Sequence, residues 1–176
     1  MQRTREEFRA LRESLGISHA YLADRLDVKE RSVARWEKPR DDEFYTPPQD
    51  AWDILDREKV IQGAFVNHAI HEAAKAAMML SDSEDSFTLS VDRFNYHDSV
   101  MVFPIDAGFN NLSENEERTT PLTIKLPYYL TESDFAETHP NIRDARCMSL
   151  VNADSRLLAG VLELSGFTVE FVSCWQ

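Results

Sequence analysis

The hydrophobic period of the chain changes once, near residue 81, and that change limits the fold more than any other feature. Before it, apolar residues recur at helical spacing: Phe8, Leu11 and Leu15, then Leu22, Ala23 and Leu26, then Val33 and Trp36. Trp52, Leu55, Ile61, Phe65, Ala69, Ala73 and Ala77 continue that pattern through residues 49 to 80, a stretch without proline. After Ser81-Asp82-Ser83-Glu84-Asp85-Ser86, an acidic loop, the period becomes two. Phe87, Leu89 and Val91 alternate with polar residues, and Val100-Met101-Val102-Phe103 and residues 122 to 126 also read as strands. The expected class is α+β: an all-α head over residues 1–48, a long connecting helix over 49–80, and a mixed α/β domain over 81–176.

Local stop and start signals divide the first part. Thr4-Arg5-Glu6-Glu7 forms a capping box, in which the Thr4 hydroxyl and the Glu7 carboxylate each accept from a backbone N–H left open at a helix start. Gly16 ends that helix, Ser18 caps a second, Asp27 and Val28 make a turn, and Pro39 stops a third. Leu22, Leu26, Val28 and Trp36 are the expected core of this unit. Residues 39 to 48 form a loop, and residues 49 to 80 are one helix of about 45 Å or two with a kink at Gly63. In the second half, residues 107 to 120 are expected to be an insertion. A short helix follows from Thr131 or Ser133, then a strand at 147 to 151, a helix over 153 to 165 ended by Gly166, and a strand at 168 to 172.

Charge is unevenly placed. The whole chain carries a formal charge of -12, which argues against nucleic acid, because affinity for DNA comes largely from neutralising phosphates. Residues 1 to 40, however, hold ten Lys and Arg against seven acids, so the remaining residues hold nine against 24. A basic head on an acidic body suits a protein that presents one end to DNA.

Three short helices with a small residue at Ala23, a residue tolerant of positive φ at Asp27 and a branched one at Val33 meet the packing needs of a helix-turn-helix. The run Ser18-His19-Ala20-Tyr21-Leu22-Ala23-Asp24-Arg25-Leu26-Asp27-Val28 followed by Ser32-Val33-Ala34-Arg35-Trp36-Glu37 resembles the Cro/CI (xenobiotic-response-element) family. That family favours Gln at His19, Gly at Asp27 and Ser at Lys29. Asp accepts the left-handed conformation better than most residues, whereas Lys29 leaves the third helix without a good N-cap. The resemblance implies that this helix enters the major groove of double-stranded DNA. With Val33 and Trp36 inward, Lys29, Arg31, Ser32 and Arg35 face outward. Arg31 and Arg35, one turn apart, are the candidates for guanine readout, with Ser32 adaptable. Lys29 and His19 are assigned to phosphate. Glu30 can accept from cytosine N4 or pair with a neighbouring Arg, and the pairing is favoured.

Farther on, Leu122-Thr123-Ile124-Lys125-Leu126, Leu130-Thr131-Glu132-Ser133-Asp134-Phe135 and Arg156-Leu157-Leu158-Ala159-Gly160-Val161-Leu162 resemble the body of the anti-CRISPR-associated autorepressors and related phage or plasmid regulators. The likeness lies in the order and spacing of elements. It implies an α/β dimerisation domain behind the head.

Other chemistry is not expected. His68, His71 and Glu72 share a helix face without the HExxH arrangement of a zinc protease and read as a polar patch. Asp134, Glu137 and His139 read as solvated charge, and Tyr128, Tyr129, Phe94 and Tyr96 as strand and core aromatics. Cys147 and Cys174 have neither CxxC spacing nor the density of a disulfide scaffold, so buried thiols are expected. No G-x-S-x-G, P-loop or G-x-G-x-x-G occurs. The expectation is a soluble, cytoplasmic, non-enzymatic transcriptional regulator without membrane span, cofactor or metal, acting as a homodimeric repressor on an inverted repeat. The alternative is an antitoxin-like or regulatory interaction module that binds a protein partner through its acidic C-terminal domain.

Overall fold

The computed structural model describes residues 3–38, 46–80, 85–89, 93–94, 121–142 and 144–173. The fold is α+β: six helices and a three-stranded parallel sheet among these residues. Among them, no helix is long and apolar enough to cross a membrane. The expected strand at 100 to 103, the insertion at 107 to 120, Val91, Tyr96, Pro39 and Cys174 lie outside the described residues.

Helix α1 (Arg5–Ser14) begins with the full capping box, Glu7 N donating to Thr4 Oγ1 at 3.1 Å and Thr4 N to Glu7 Oε2 at 2.8 Å. It ends in a Schellman motif, with Gly16 N donating to the Glu13 carbonyl and Ile17 N to that of Arg12, for which Gly16 adopts φ 69°. Helix α2 (His19–Arg25) is capped by Ser18 and ends in the same motif. Here Asp27 takes the left-handed conformation at φ 52°, with its N–H on Asp24 and that of Val28 on Ala23. Helix α3 (Glu30–Trp36) starts at Lys29 with no side-chain cap, as expected of a lysine there. Val28 departs from expectation: it is 38% exposed instead of buried, because it lies past the end of α2 on the outside of the turn.

Helix α4 (Gln49–Met79) is a single helix of 31 residues. Gly63 does not break it, since the hydrogen-bonded ladder carries one glycine at a cost of about 1 kcal/mol. Strands β1 (Ser86–Thr88), β2 (Thr123–Pro127) and β3 (Thr168–Val172) pair in that order, with Ile124 opposite both Phe87 and Val169. Helix α5 (Glu132–Thr138) is capped by Thr131. Helix α6 (Cys147–Leu164) absorbs the strand expected at 147 to 151. The run read as a short buried strand is the first turn of that helix, and Cys147, Leu150, Val151 and Asp154 fall inward at i, i+3, i+4 and i+7.

Two apolar clusters form the core. One lies under the sheet and joins Phe65, Ala69 and Ala73 of α4, Ile124 and Leu126 of β2, and Leu158 and Leu162 of α6. The other is shared between the N-terminal helices and the body: Phe8, Leu15, Tyr21, Leu22, Val33 and Trp36 pack with Trp52 and Leu55 of α4, and with Tyr129, Phe135, Leu150 and Val151. His139 belongs with these aromatic rings and not with solvent, stacked on Phe135 at 4.6 Å.

A buried polar group crosses between α4 and α6. Gln62 Nε2 donates to Asp154 Oδ1 at 3.0 Å. Arg93 stands 2.7 Å from Glu58 Oε2 and 3.1 Å from Asp154 Oδ2, while the Tyr21 hydroxyl reaches Glu58 Oε1 at 3.4 Å. Asp154 Oδ2 has no hydrogen-bond partner among the described residues in spite of that guanidinium. Burial therefore outweighs Arg93 and Gln62 and pushes the carboxyl up to about 6.

Two stability changes follow from this packing. Gly63 is exposed and a methyl group there meets open space, so Gly63→Ala should raise the unfolding free energy by about 0.5–1 kcal/mol. A denaturant midpoint equal to or below wild type would contradict this. For Asp154, the folded chain binds the proton more tightly than the unfolded one, so its contribution to stability is largest in acid. That contribution falls as pH rises from about 4 to about 6, by up to about 3 kcal/mol, and is then constant. Asp154→Asn should lack this term. The difference in unfolding free energy between wild type and variant should therefore shift across that window, and a difference independent of pH would show that the carboxylate is not desolvated.

Candidate nucleic-acid interface

The second and third helices pack on each other around Leu22, Ala23 and Val33. Val33 is fully buried and Trp36 nearly so, which turns the opposite side of α3 outward. Arg31 and Arg35 lie on that outward side four residues apart, both exposed. Lys29 stands exposed at the start of the helix, Glu30 and Ser32 flank it, and Ser32 is half-buried. Among the described residues neither Lys29 nor Arg31 forms an ion pair. The pairing expected of Glu30 with an arginine is likewise not formed: its helical neighbours at i+3 and i+4 are Val33 and Ala34.

The attitude of α3 is set by a charged anchor that lies beneath it. Arg12 of α1 is 8% exposed, and its guanidinium grips Glu37 through two nitrogens, Nε to Oε1 at 2.5 Å and Nη2 to Oε2 at 3.1 Å. Its third nitrogen, Nη1, donates to the Ile17 carbonyl at 2.7 Å. Every face of the fork is thus used, as a buried guanidinium requires. Burial pushes the Glu37 carboxyl up, but hydrogen bonds from Arg12 and His19 outweigh it and hold the group below its ordinary value. Arg5 adds a second grip, donating to the Lys38 carbonyl at 2.9 Å just beyond α3.

His19 is placed away from the outward side of α3. Its Nε2 lies 3.0 Å from Glu37 Oε2 and, facing a carboxylate, carries the proton. The structure therefore brings Lys29, Glu30, Arg31, Ser32 and Arg35 together on one short helix and gives His19 a partner inside the fold.

Reading the sequence for charge missed the role of Arg12 and Glu37. One signal was present: Arg12 shares the inward face of α1 with Phe8 and Leu15, at i+4 and i+7 from Phe8. Its partner 25 positions away leaves no local trace.

Among the described residues no group of three or more His, Cys, Asp or Glu side chains converges as a metal site would require. Compared with protein-family models, with curated proteins and with solved structures, the chain matches none.

Removing one partner of the buried pair should leave the other charge uncompensated. Glu37→Ala is expected to lower the unfolding free energy by about 3 kcal/mol. Chemical denaturation measures it, and a loss below about 1 kcal/mol would show that water reaches Arg12.

Proposed function

We propose that this chain is a sequence-specific transcriptional regulator of the Cro/CI kind, which reads double-stranded DNA through α3. The observation that carries this reading is the contrast between the two sides of that helix. One side is immobilised by Val33, Trp36 and the Arg12–Glu37 anchor, and the other carries Lys29, Arg31 and Arg35 into solvent. A helix fixed on one side and cationic on the other can enter a major groove without losing side-chain packing.

Each residue has a role on this reading. Arg31 and Arg35 present forked donors that match guanine O6 and N7. Lys29, a point charge at the helix start, holds a phosphate. Ser32 is short enough to serve either a base edge or the backbone. Glu30, without an intramolecular partner among the described residues, is left to accept from cytosine N4. His19 supports the site through Glu37.

One head of this size reads only a few base pairs, and two-fold pairing doubles the reading, so the working form is a homodimer on an inverted repeat. Occupancy of a promoter by such a dimer represses it. The protein acts in the cytoplasm, without cofactor or catalysis.

Titration against a duplex selected from random sequence, and against a scrambled duplex, tests the assignment. Arg31→Ala and Arg35→Ala should each cost about 1 to 3 kcal/mol on the selected duplex and much less on the scrambled one. Lys29→Ala should weaken both alike and lower the salt slope by about one unit. Val33→Asp is the structural control, since a buried carboxylate there should unfold the head. If folded Arg31→Ala and Arg35→Ala bind as wild type does, α3 is not the reading element. The acidic body as a docking site for a protein partner then becomes the better reading.

A further inference from the structure

The N-terminal helices are packed on the body by three independent contacts. The first is α4, one uninterrupted helix: Ala51, Trp52 and Leu55 close the core shared with α1 and α3, and Phe65, Ala69 and Ala73 close the core under the sheet. The second is the corner between α1 and α2. Gly16 lies so close to α6 that a methyl group on it would overlap the Ser149 carbonyl oxygen and crowd the Ala153 side chain. The third is Arg146, the residue before α6. Its Nη1 donates to the Ala20 carbonyl at 3.0 Å and its Nη2 to Asp24 Oδ2 at 3.2 Å. Asp144 holds the same guanidinium from the body side, at 2.7 Å from Nε.

The first contact acts on α1 and α3, the second on the corner that leads into α2, and the third on α2 itself, which is packed on α3. The direction of the reading helix relative to the body is therefore set by packing and by a forked hydrogen-bond clamp. A body of this kind does more than carry the head.

We propose that this joint makes the body a determinant of DNA specificity: it fixes the attitude of α3 so that a dimer accepts only one half-site spacing, with Arg146 as a positioning residue. The inference rests on the DNA-binding dimer proposed above. Each base pair inserted between half-sites moves the second by about 3.4 Å and turns it by about 35°. Heads on flexible tethers follow such a change, because an unstructured linker reorients at little cost. Heads whose second helix is clamped to the body must break the clamp to follow it.

The full-length protein is tested on its selected inverted repeat, with the spacer changed by one base pair in either direction and by two. Wild type should lose about tenfold or more in affinity at each one-base-pair change. Arg146→Ala, shown to be folded by circular dichroism, should keep its preference for the half-site sequence while its spacing penalty falls by about threefold. If that variant does not fold, Asp24→Asn, which weakens one contact of the clamp at an exposed position, should reduce the penalty in the same direction. Wild-type affinity that is equal at every spacer length would overturn the inference and leave the DNA-binding reading intact. A penalty as large in the folded variant as in wild type would remove Arg146 from the positioning role. A selection that enriches no sequence would instead remove the function itself, and the inference with it.

Discussion

Phe8 sits where α1, α3 and α4 meet, and its ring meets two tryptophans edge-on. Trp36 of α3 is 6.3 Å away at 83° and Trp52 of α4 is 5.0 Å away at 82°. Edge-to-face contact is directional because the positive ring edge seeks the negative face, so the pair of contacts fixes orientation as well as distance. With Phe8 fully buried, α1 cannot tilt without opening a cavity against both tryptophans. The same helix carries Arg12 one turn later, which places its guanidinium beneath Glu37. The aim of α3 is thereby tied to α4 through one apolar residue and to α1 through one charged residue.

The elements whose causes are local were legible in the sequence. The capping box at Thr4 and Glu7, the cap at Ser18, the glycine stops at Gly16 and Gly166, and positive φ at Asp27 each depend on a few adjacent residues, whereas the start of α5 was left between Thr131 and Ser133. The last strand was placed at residues 168 to 172, where β3 lies. What failed depended on distance. Residues 147 to 151 form a short apolar run that suits strand and helix alike, and only packing against Gly16 and the shared core decides for the helix. Of the candidate site, the outward set on α3 could be read once Val33 and Trp36 were known to point inward. The partner of His19 could not, because Glu37 lies 18 positions away.

Charge counted along the chain overstated the field available at the head. Among the described residues Arg3 pairs with Asp56, Arg9 with Glu13 and Arg12 with Glu37, so part of the positive charge counted there is matched by carboxylates within hydrogen-bond distance. Arg3 and Arg25 also lie over the rings of Trp52 and Tyr21. The useful quantity is therefore where basic side chains are exposed together, and Lys29, Arg31 and Arg35 are exposed at a single short helix. On the proposed function, a small cluster with forked donors favours base-edge recognition over general attraction to phosphate, which suits a chain of net negative charge.

Two buried ionic assemblies divide the task of holding the molecule in register. In the head, Arg12 and Glu37 lock α1 to the end of α3; between α4 and α6, Gln62 and Arg93 close on Asp154, and Glu58 holds Arg93 from the other side. Neither is the cheapest way to fill its space, since desolvating such groups costs about as much as their attraction returns. Apolar packing, however, is non-directional, and helices joined by Ala and Leu contacts can slide by a fraction of a turn at small cost. A forked guanidinium on a carboxylate resists sliding, because each displaced nitrogen gives up a directional hydrogen bond in a buried setting. Register fixed in this way at both ends of the joint is what allows the direction of α3 to be a property of the whole chain and not of its first forty residues alone.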